Sequence, residues 1–432
     1  MSAPPTGPTG QPEPPPVGDD GLLRGRLTRR RVLAGAGVVA GAGILGATLD
    51  QRGWLSSTAN GTRGHSSSGG IAVLVTLYGG NDGLNTVVPA SDPAYRAARP
   101  DLGYQPGEVL PLADGLGLNP KMPLMKKRWE DRQLAVIRGV GYPSPSLSHF
   151  QSMDIWQTAQ PDGTGSGWLG RWLDATGSDP MRAISLGASL PPAMRGERQA
   201  ATAITSGTIT LPGRSPLVAG FAACAQPGSD RSALEASVAG SAAELLQVRS
   251  SLASLTGQAA PASTSGRLAA AGTATFGDQL AVVADLINAG APTQVYQVSL
   301  SSFDTHANEK SAHEGLLANL DGALDSFLTA VARGPRAAEV VVFTVSEFGR
   351  RVAQNASGGT DHGTASSLLV AGHGVRGGRL YGDQPSLTSL DANGNLRWTV
   401  DFRSVYATIL ASTLGVEPAS VLGASFPVLG FL

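Results

Sequence analysis

The chain has a single cysteine, Cys224, in 432 residues. One thiol excludes an internal disulfide, a thiolate zinc cluster and an iron–sulfur site. Charge is scarce and balanced: 15% of residues are charged, and 32 Lys and Arg against 33 Asp and Glu leave a formal net charge of -1. There is no basic field to gather phosphates along a backbone, so nucleic acid is not an expected partner. Aromatic residues are few, at 5%. Glycine is abundant instead, with 57 residues, which points to polar loops and close backbone approach. Hydrophobic residues, 41% of the chain, suffice for the core of a globular protein.

The first 69 residues read as an address and not as part of a fold. Residues 1–20 are proline-rich and disordered by composition. Thr28, Arg29, Arg30, Arg31, Val32 and Leu33 match the twin-arginine export pattern, and an uncharged Gly/Ala-rich segment follows from Ala34 to Leu49. That segment is barely apolar enough to insert as a membrane helix. Export in the folded state is expected, to the periplasm, the cell surface or the exterior. Membrane attachment is expected only through an uncleaved signal; cleavage after Ala47 or Ala59 stays open. Ser56 to Gly70 is a Ser/Gly/Thr linker.

From residue 70 to 432 the pattern is that of one α/β domain. Val340 to Val345 has the length and composition of a buried parallel strand, and it empties into Ser346, Glu347, Phe348, Gly349, Arg350 and Arg351. A Gly-rich loop then delivers Thr360, Asp361, His362 and Gly363. Ile71 to Leu77 is a similar run, ending in Gly79, Gly80, Asn81, Asp82 and Asn85. Leu134 to Val140 leads to Ser146, Ser148 and His149 before a helix over Gln151 to Gln160, and Val295 to Leu300 ends in Asp304, Thr305 and His306. Residues 174–276 loosen into Ala, Ser and Gly and are expected to be a helical insertion. Gln279–Asn288 and Glu314–Val331 read as amphipathic helices, with His313 on the helix surface. Leu368–Ala371 reads as a fifth strand and Val400–Leu414 as a closing helix.

Each strand end has a plain structural explanation: Asn81, Asp82 and Gly83 as a turn, Ser148 as an N-cap, Glu347 as the ion-pair partner of Arg350 or Arg351. Together they describe one pocket along the carboxyl edge of a sheet, where ligands bind in open α/β folds. Asp82, Asp304, His306, Glu347, Asp361 and His362 are oxygen and imidazole donors suited to one or two ions of zinc, manganese, calcium or magnesium. Asn81, Asn85 and Ser146 are the candidates for holding substrate.

The stretches LYGGNDGLNTVVP, SLSHF, SFDTH, SEFGRR and GTDHGTA resemble the bacterial family called domain of unknown function 1501, itself similar to the alkaline phosphatase and sulfatase superfamily. The resemblance runs from Ile71 to the C-terminus. It implies an alkaline-phosphatase-like three-layer sandwich with a mostly parallel central sheet. It also implies Asp82 as the metal-binding Asp of the first strand, Ser148 (or Ser146) as nucleophile, and Asp304, His306 and His362 as metal ligands. Two departures stand out. Glu347 and Phe348 occupy a position where the superfamily usually shows Asp-His, which leaves a second metal dependent on Asp361 or His149. Cys224 lies outside any sulfatase Cys-x-Pro-x-Arg pattern.

The reaction that follows is hydrolysis of a phosphate or sulfate ester, small or polymeric, with Ser148 attacking, His149 assisting and Arg350 neutralising the anion. The alternative is a non-catalytic secreted protein that keeps the fold and binds cell-surface partners, other secreted proteins or polysaccharide. Loss of the Asp-His pair favours the second reading, and survival of Ser148 among acids and imidazoles favours the first.

Overall fold

Strand β1, Ile71–Leu77, reads IAVLVTL and all seven residues are buried, as a strand covered on both faces must be. The structure, a computed structural model, describes residues 69–432 apart from 188, 205–221, 227, 229–231 and 260–274. The export signal and nearly all of the Ser/Gly/Thr linker lie outside the described residues.

After β1 the strands are β2 (Val87–Val88), β3 (Leu110–Pro111), β4 (Gly117–Leu118), β5 (Leu134–Gly141), β6 (Ala183–Leu186), β7 (Thr202–Ile204), β8 (Val295–Leu300) and β9 (Val340–Val345). They continue as β10 (Arg350–Gln354), β11 (Thr360–His362), β12 (Ser366–Ala371), β13 (Arg379–Tyr381) and β14 (Val400–Asp401). The main sheet has the order β13-β5-β12-β9-β1-β8-β6-β7, with β14 also on β5. Its pairings are parallel except those of β12, which runs against both β5 and β9. The parallel strands therefore all end at one edge, and β12 begins there.

Alternation along β1 builds two cores. Val73 and Val75 pack with the helices Pro123–Glu130, Phe276–Asn288 and Glu309–Val331. Ala72 and Leu74 face the opposite way, towards His149–Thr158, Trp168–Thr176 and Phe402–Ser412. The result is a three-layer α/β architecture. Local signals set several helix starts: Thr275 and Asp278 close a capping box on Phe276–Asn288, and the Asp401 carboxylate accepts from the Arg403 N–H at the head of Phe402–Ser412.

Two expectations need correction. The stretch 174–276 is not wholly helical: β6 and β7 lie inside it and extend the main sheet, though a helix spans Ala233–Ala259. Strands of four and three residues are too short to rise above an Ala/Ser/Thr background. His313 is not surface: the helix begins at Glu309 rather than Glu314, and His313 is buried within it. The sheet and its flanking helices described above belong to one compact unit. Among the described residues no helix is long and apolar enough to cross a membrane.

Phe343 of β9 is 1% exposed and sits in the core on the Ala72 face. Phe343→Ala should lower the unfolding free energy by about 3–5 kcal/mol, read by urea denaturation. A loss below about 1 kcal/mol would contradict the central place given to β9.

Candidate metal centre

The site forms where four strand ends meet. Asp304 and His306 follow β8, Glu347 follows β9, His149 opens the helix after β5, and His362 ends β11. The hairpin of β10 and β11 pairs Arg350 with His362. One close approach makes the convergence possible: Gly79, at φ 118°, has its Cα so near the 303–304 backbone that a Cβ would lie 2.4 Å from the Asp304 amide nitrogen. Ser302, at φ 84°, and Asn308, at φ 48°, bracket Asp304 and His306 in left-handed backbone, which is costly for non-glycine residues and recurs at functional sites.

Arg350 is the centre of this edge. Its guanidinium is buried and donates to the carbonyls of Gly79, Gly80, Phe303 and Thr360 and to Asp304 Oδ1 at 2.8 Å. The expected role on substrate does not match this placement, because its donors are spent on the frame. Partial burial alone would raise the Asp304 carboxyl; Arg350 against it more than reverses this and holds it at about 2.

Three imidazoles point their Nε2 atoms at that carboxylate. His306 Nε2 lies 3.0 Å and His362 Nε2 3.3 Å from Asp304 Oδ1, and His149 Nε2 lies 3.4 Å from Oδ2. His306 and His362 Nε2 are 3.0 Å apart. The far nitrogens are tied back. His149 Nδ1 is 2.9 Å from Glu347 Oε1 and His362 Nδ1 is 2.8 Å from the Leu147 carbonyl, both acceptors, so each Nδ1–H donates there, and the tautomer this selects leaves the lone pair on Nε2 when the ring is neutral. His306 Nδ1 faces Asp361 Oδ1 at 3.8 Å. Burial lowers the His362 pKa.

This donor set fits a divalent ion. Ligands about 2.1 Å from a tetrahedral metal stand about 3.4 Å from one another; the Nε2 atoms stand 3.0 to 3.4 Å from the Asp304 oxygens, and donor atoms of His149, Asp304 and His362 all lie within 4.8 Å of one another. His149 Nε2 is buried with no hydrogen-bond partner, and the 3.0 Å between the Nε2 atoms of His306 and His362 needs a hydrogen or a cation between them. Tautomers fixed by outer acceptors are the usual support of metal-bound histidine.

The other expected residues take different places. Glu347 accepts from the Gly79 N–H at 2.8 Å, from His149 and from Ser346 Oγ at 3.2 Å, not from Arg350 or Arg351. Asp361 is exposed and accepts from Asn355 Nδ2. Ser148 stands at the N-cap but makes no cap bond and is exposed, so the plain capping role is not filled. Ser146 Oγ donates to Gln151 and accepts from the Ser148 N–H.

Asp82, Asn81 and Asn85 are drawn inward. Asp82 pairs with Arg99 at 2.5 Å, both wholly buried. Asn81 accepts from His313 Nε2 at 2.9 Å, and Asn85 from Tyr95 and Arg99. None of the three faces the imidazoles with a side chain that lacks a partner. The sequence reading missed Arg99 and Glu309. Phe348 is buried and its ring lies 4.9 and 4.6 Å from those of His149 and His362. It sets an apolar ring against two of the three imidazoles.

An α/β protein with three imidazoles gathered on one carboxylate at the carboxyl edge of its sheet is the class that fold and site define. The chain belongs to the family described as "Protein of unknown function (DUF1501)", whose model matches residues 132–424. No curated protein matches it. Similar solved structures include a protein in the alkaline phosphatase superfamily from Vibrio parahaemolyticus, 7% identical at a TM-score of 0.39, covering 83% of this chain and 70% of that one. They also include Ps i-CgsB in complex with k-i-k-neocarrahexaose, 8% identical at 0.37, covering 83% and 73%. A third is the soluble domain of lipooligosaccharide phosphoethanolamine transferase A from Neisseria meningitidis, 10% identical at 0.29, covering 71% and 78%. The chemistry below rests on this chain's own residues.

Beneath the site, burial and then the negative Asp82 raise the Glu309 carboxyl well above the carboxylate range, while burial lowers His313 to about 4. Glu309 holds its proton more tightly when folded, so its contribution is full below 4.5 and is lost as pH rises towards the raised value. The contribution of neutral His313 is full above 6.5 and lost as pH falls towards about 4. Stability should therefore fall on both sides, by up to about 1.4 kcal/mol per pH unit per group. Denaturation midpoints against pH should show Glu309→Gln flattening only the alkaline limb and His313→Gln only the acid limb.

Proposed function

We propose that this chain is a hydrolase of phosphate or sulfate esters that works with one divalent ion held by His149, Asp304, His306 and His362. The observation that carries the reading is the meeting of three Nε2 atoms on Asp304, with the far nitrogens of His149 and His362 hydrogen-bonded to outer acceptors. One ion rather than two follows from the same geometry. Asp82 is taken by Arg99, Glu347 by His149 and Gly79, and Phe348 covers the inner side.

When bound, such an ion supplies Lewis acidity and lowers the pKa of a hydroxyl at its edge. Asp304 stays ionised beside Arg350 and brings negative charge to the cation. Ser148 presents an exposed hydroxyl at the head of the helix His149–Thr158, where the N-terminal dipole favours an alkoxide and an anionic ester. Its Oγ, giving its proton to solvent, forms the bond to phosphorus or sulfur as the bond to the leaving alcohol breaks and that alcohol takes a proton from solvent; water then breaks the Oγ–phosphorus or Oγ–sulfur bond, releasing phosphate or sulfate and restoring the hydroxyl. The site is open: the Asp304 side chain is 45% exposed and Phe150, next to His149, is 86% exposed, which suits a substrate larger than the site. Export by the twin-arginine signal of Thr28 to Leu33 belongs to the same proposal and would place the enzyme outside the cytoplasm.

Elemental analysis of protein purified after natural export should find about one equivalent of a divalent ion, lost in Asp304→Ala and His362→Ala. Ser148→Ala should keep the ion and lose phosphatase or sulfatase turnover roughly a thousandfold or more. No ion in the wild type, and no uptake of added zinc, manganese, calcium or magnesium, would sink the hydrolase and leave the binding-protein reading.

A further inference from the structure

We infer that Glu347 is a positioning residue that acts on the metal centre through His149 and is not itself a ligand; this rests on the metal-site reading above. Glu347 is buried, yet among the described residues no Arg or Lys pairs with it. Arg350, three residues on, is engaged with Asp304 and four carbonyls. Both lone pairs of Oε1 are used, by the Gly79 N–H at 2.8 Å and His149 Nδ1 at 2.9 Å, and Ser346 Oγ approaches Oε2 at 3.2 Å. A buried carboxylate with only neutral donors needs a countercharge. Its outward path is the His149 ring, whose Nε2 faces Asp304 Oδ2 at 3.4 Å. Positive charge at Nε2 is thus felt by Glu347 across the imidazole, and the carboxylate in turn fixes the ring's tautomer and strengthens it as a donor.

The arrangement is specific to this pair of elements. His149 is on the helix after β5 and Glu347 is at the end of β9, so the hydrogen bond fastens a ligand from one segment to the strand end of another. Phe348 packs on the same His149 ring at 4.9 Å and limits its rotation. Adjacent residues thus hold one imidazole by charge and by contact.

Cobalt(II) titration followed by absorption tests this. Wild type and Glu347→Gln should each take about one equivalent with the same band positions, the variant about 10–100-fold more weakly. In a His149→Ala background, Glu347→Gln should change cobalt affinity no further. Altered bands or lost stoichiometry in Glu347→Gln would make Glu347 a ligand and overturn the inference, as would an additive effect in the His149→Ala background. If Glu347→Gln fails to fold, Glu347→Asp, with its carboxylate drawn back by one methylene, must show the weakened affinity with unchanged bands. Nitrogen NMR of the metal-free imidazoles gives an independent readout: His149 should carry its hydrogen on Nδ1 in the wild type and lose that preference in Glu347→Ala, which removes the acceptor. An unchanged tautomer overturns the inference. Wild type that takes no cobalt ends the hydrolase reading, while the NMR result still decides whether Glu347 orients His149.

Discussion

The carboxyl edge of this protein is held by one buried cation. The Arg350 guanidinium satisfies the carbonyls of Gly79, Gly80, Phe303 and Thr360 and the carboxylate of Asp304. A buried charge with its donors unmet is costly, so the loops after β1, β8 and β10 must all close on it for the protein to fold. The rigid planar fork can reach several acceptors at once, which a lysine ammonium cannot reproduce. The position of Asp304, and through it of the three imidazoles, is a by-product of neutralising Arg350.

A second buried network lies behind the first. Asp82, Arg99, Asn81, Asn85, Tyr95 and His313 bond to one another, and Glu309 joins them to Thr360 through a 2.6 Å hydrogen bond. Thr360 also offers its carbonyl to Arg350. The two networks therefore share a residue, and a change in the charge of the inner one reaches the outer one through a single backbone position.

The strands and the edge were legible in the sequence because continuous β-branched runs such as Val340–Val345 have few alternatives to a buried parallel strand. The grouping of Asp304, His306 and His362 was legible because strand-end loops of a parallel sheet face the same way. The partner of each polar residue was not. Asp82 and Asp304 look alike in sequence, an acid after a strand, yet one meets Arg99 and the other Arg350. Which guanidinium arrives is decided by tertiary packing. His313 was misplaced for a related reason: helix periodicity locates a stripe but not where the helix starts, and the helix begins at Glu309 behind Asn308 in left-handed backbone. Short strands β6 and β7 lacked a run long enough to register.

The reversed strand β12 has a topological consequence. A parallel pair requires a crossover through another layer, but β9 and β12 are antiparallel, so the chain between them leaves and re-enters the sheet at the same edge. Residues 346–365, carrying Glu347, Phe348, Arg350, Asp361 and His362, thus form a self-contained excursion. The segment is therefore fastened to the sheet at one edge only, and its placement depends on the acceptors that Arg350 finds outside it, Gly79, Gly80, Phe303 and Asp304.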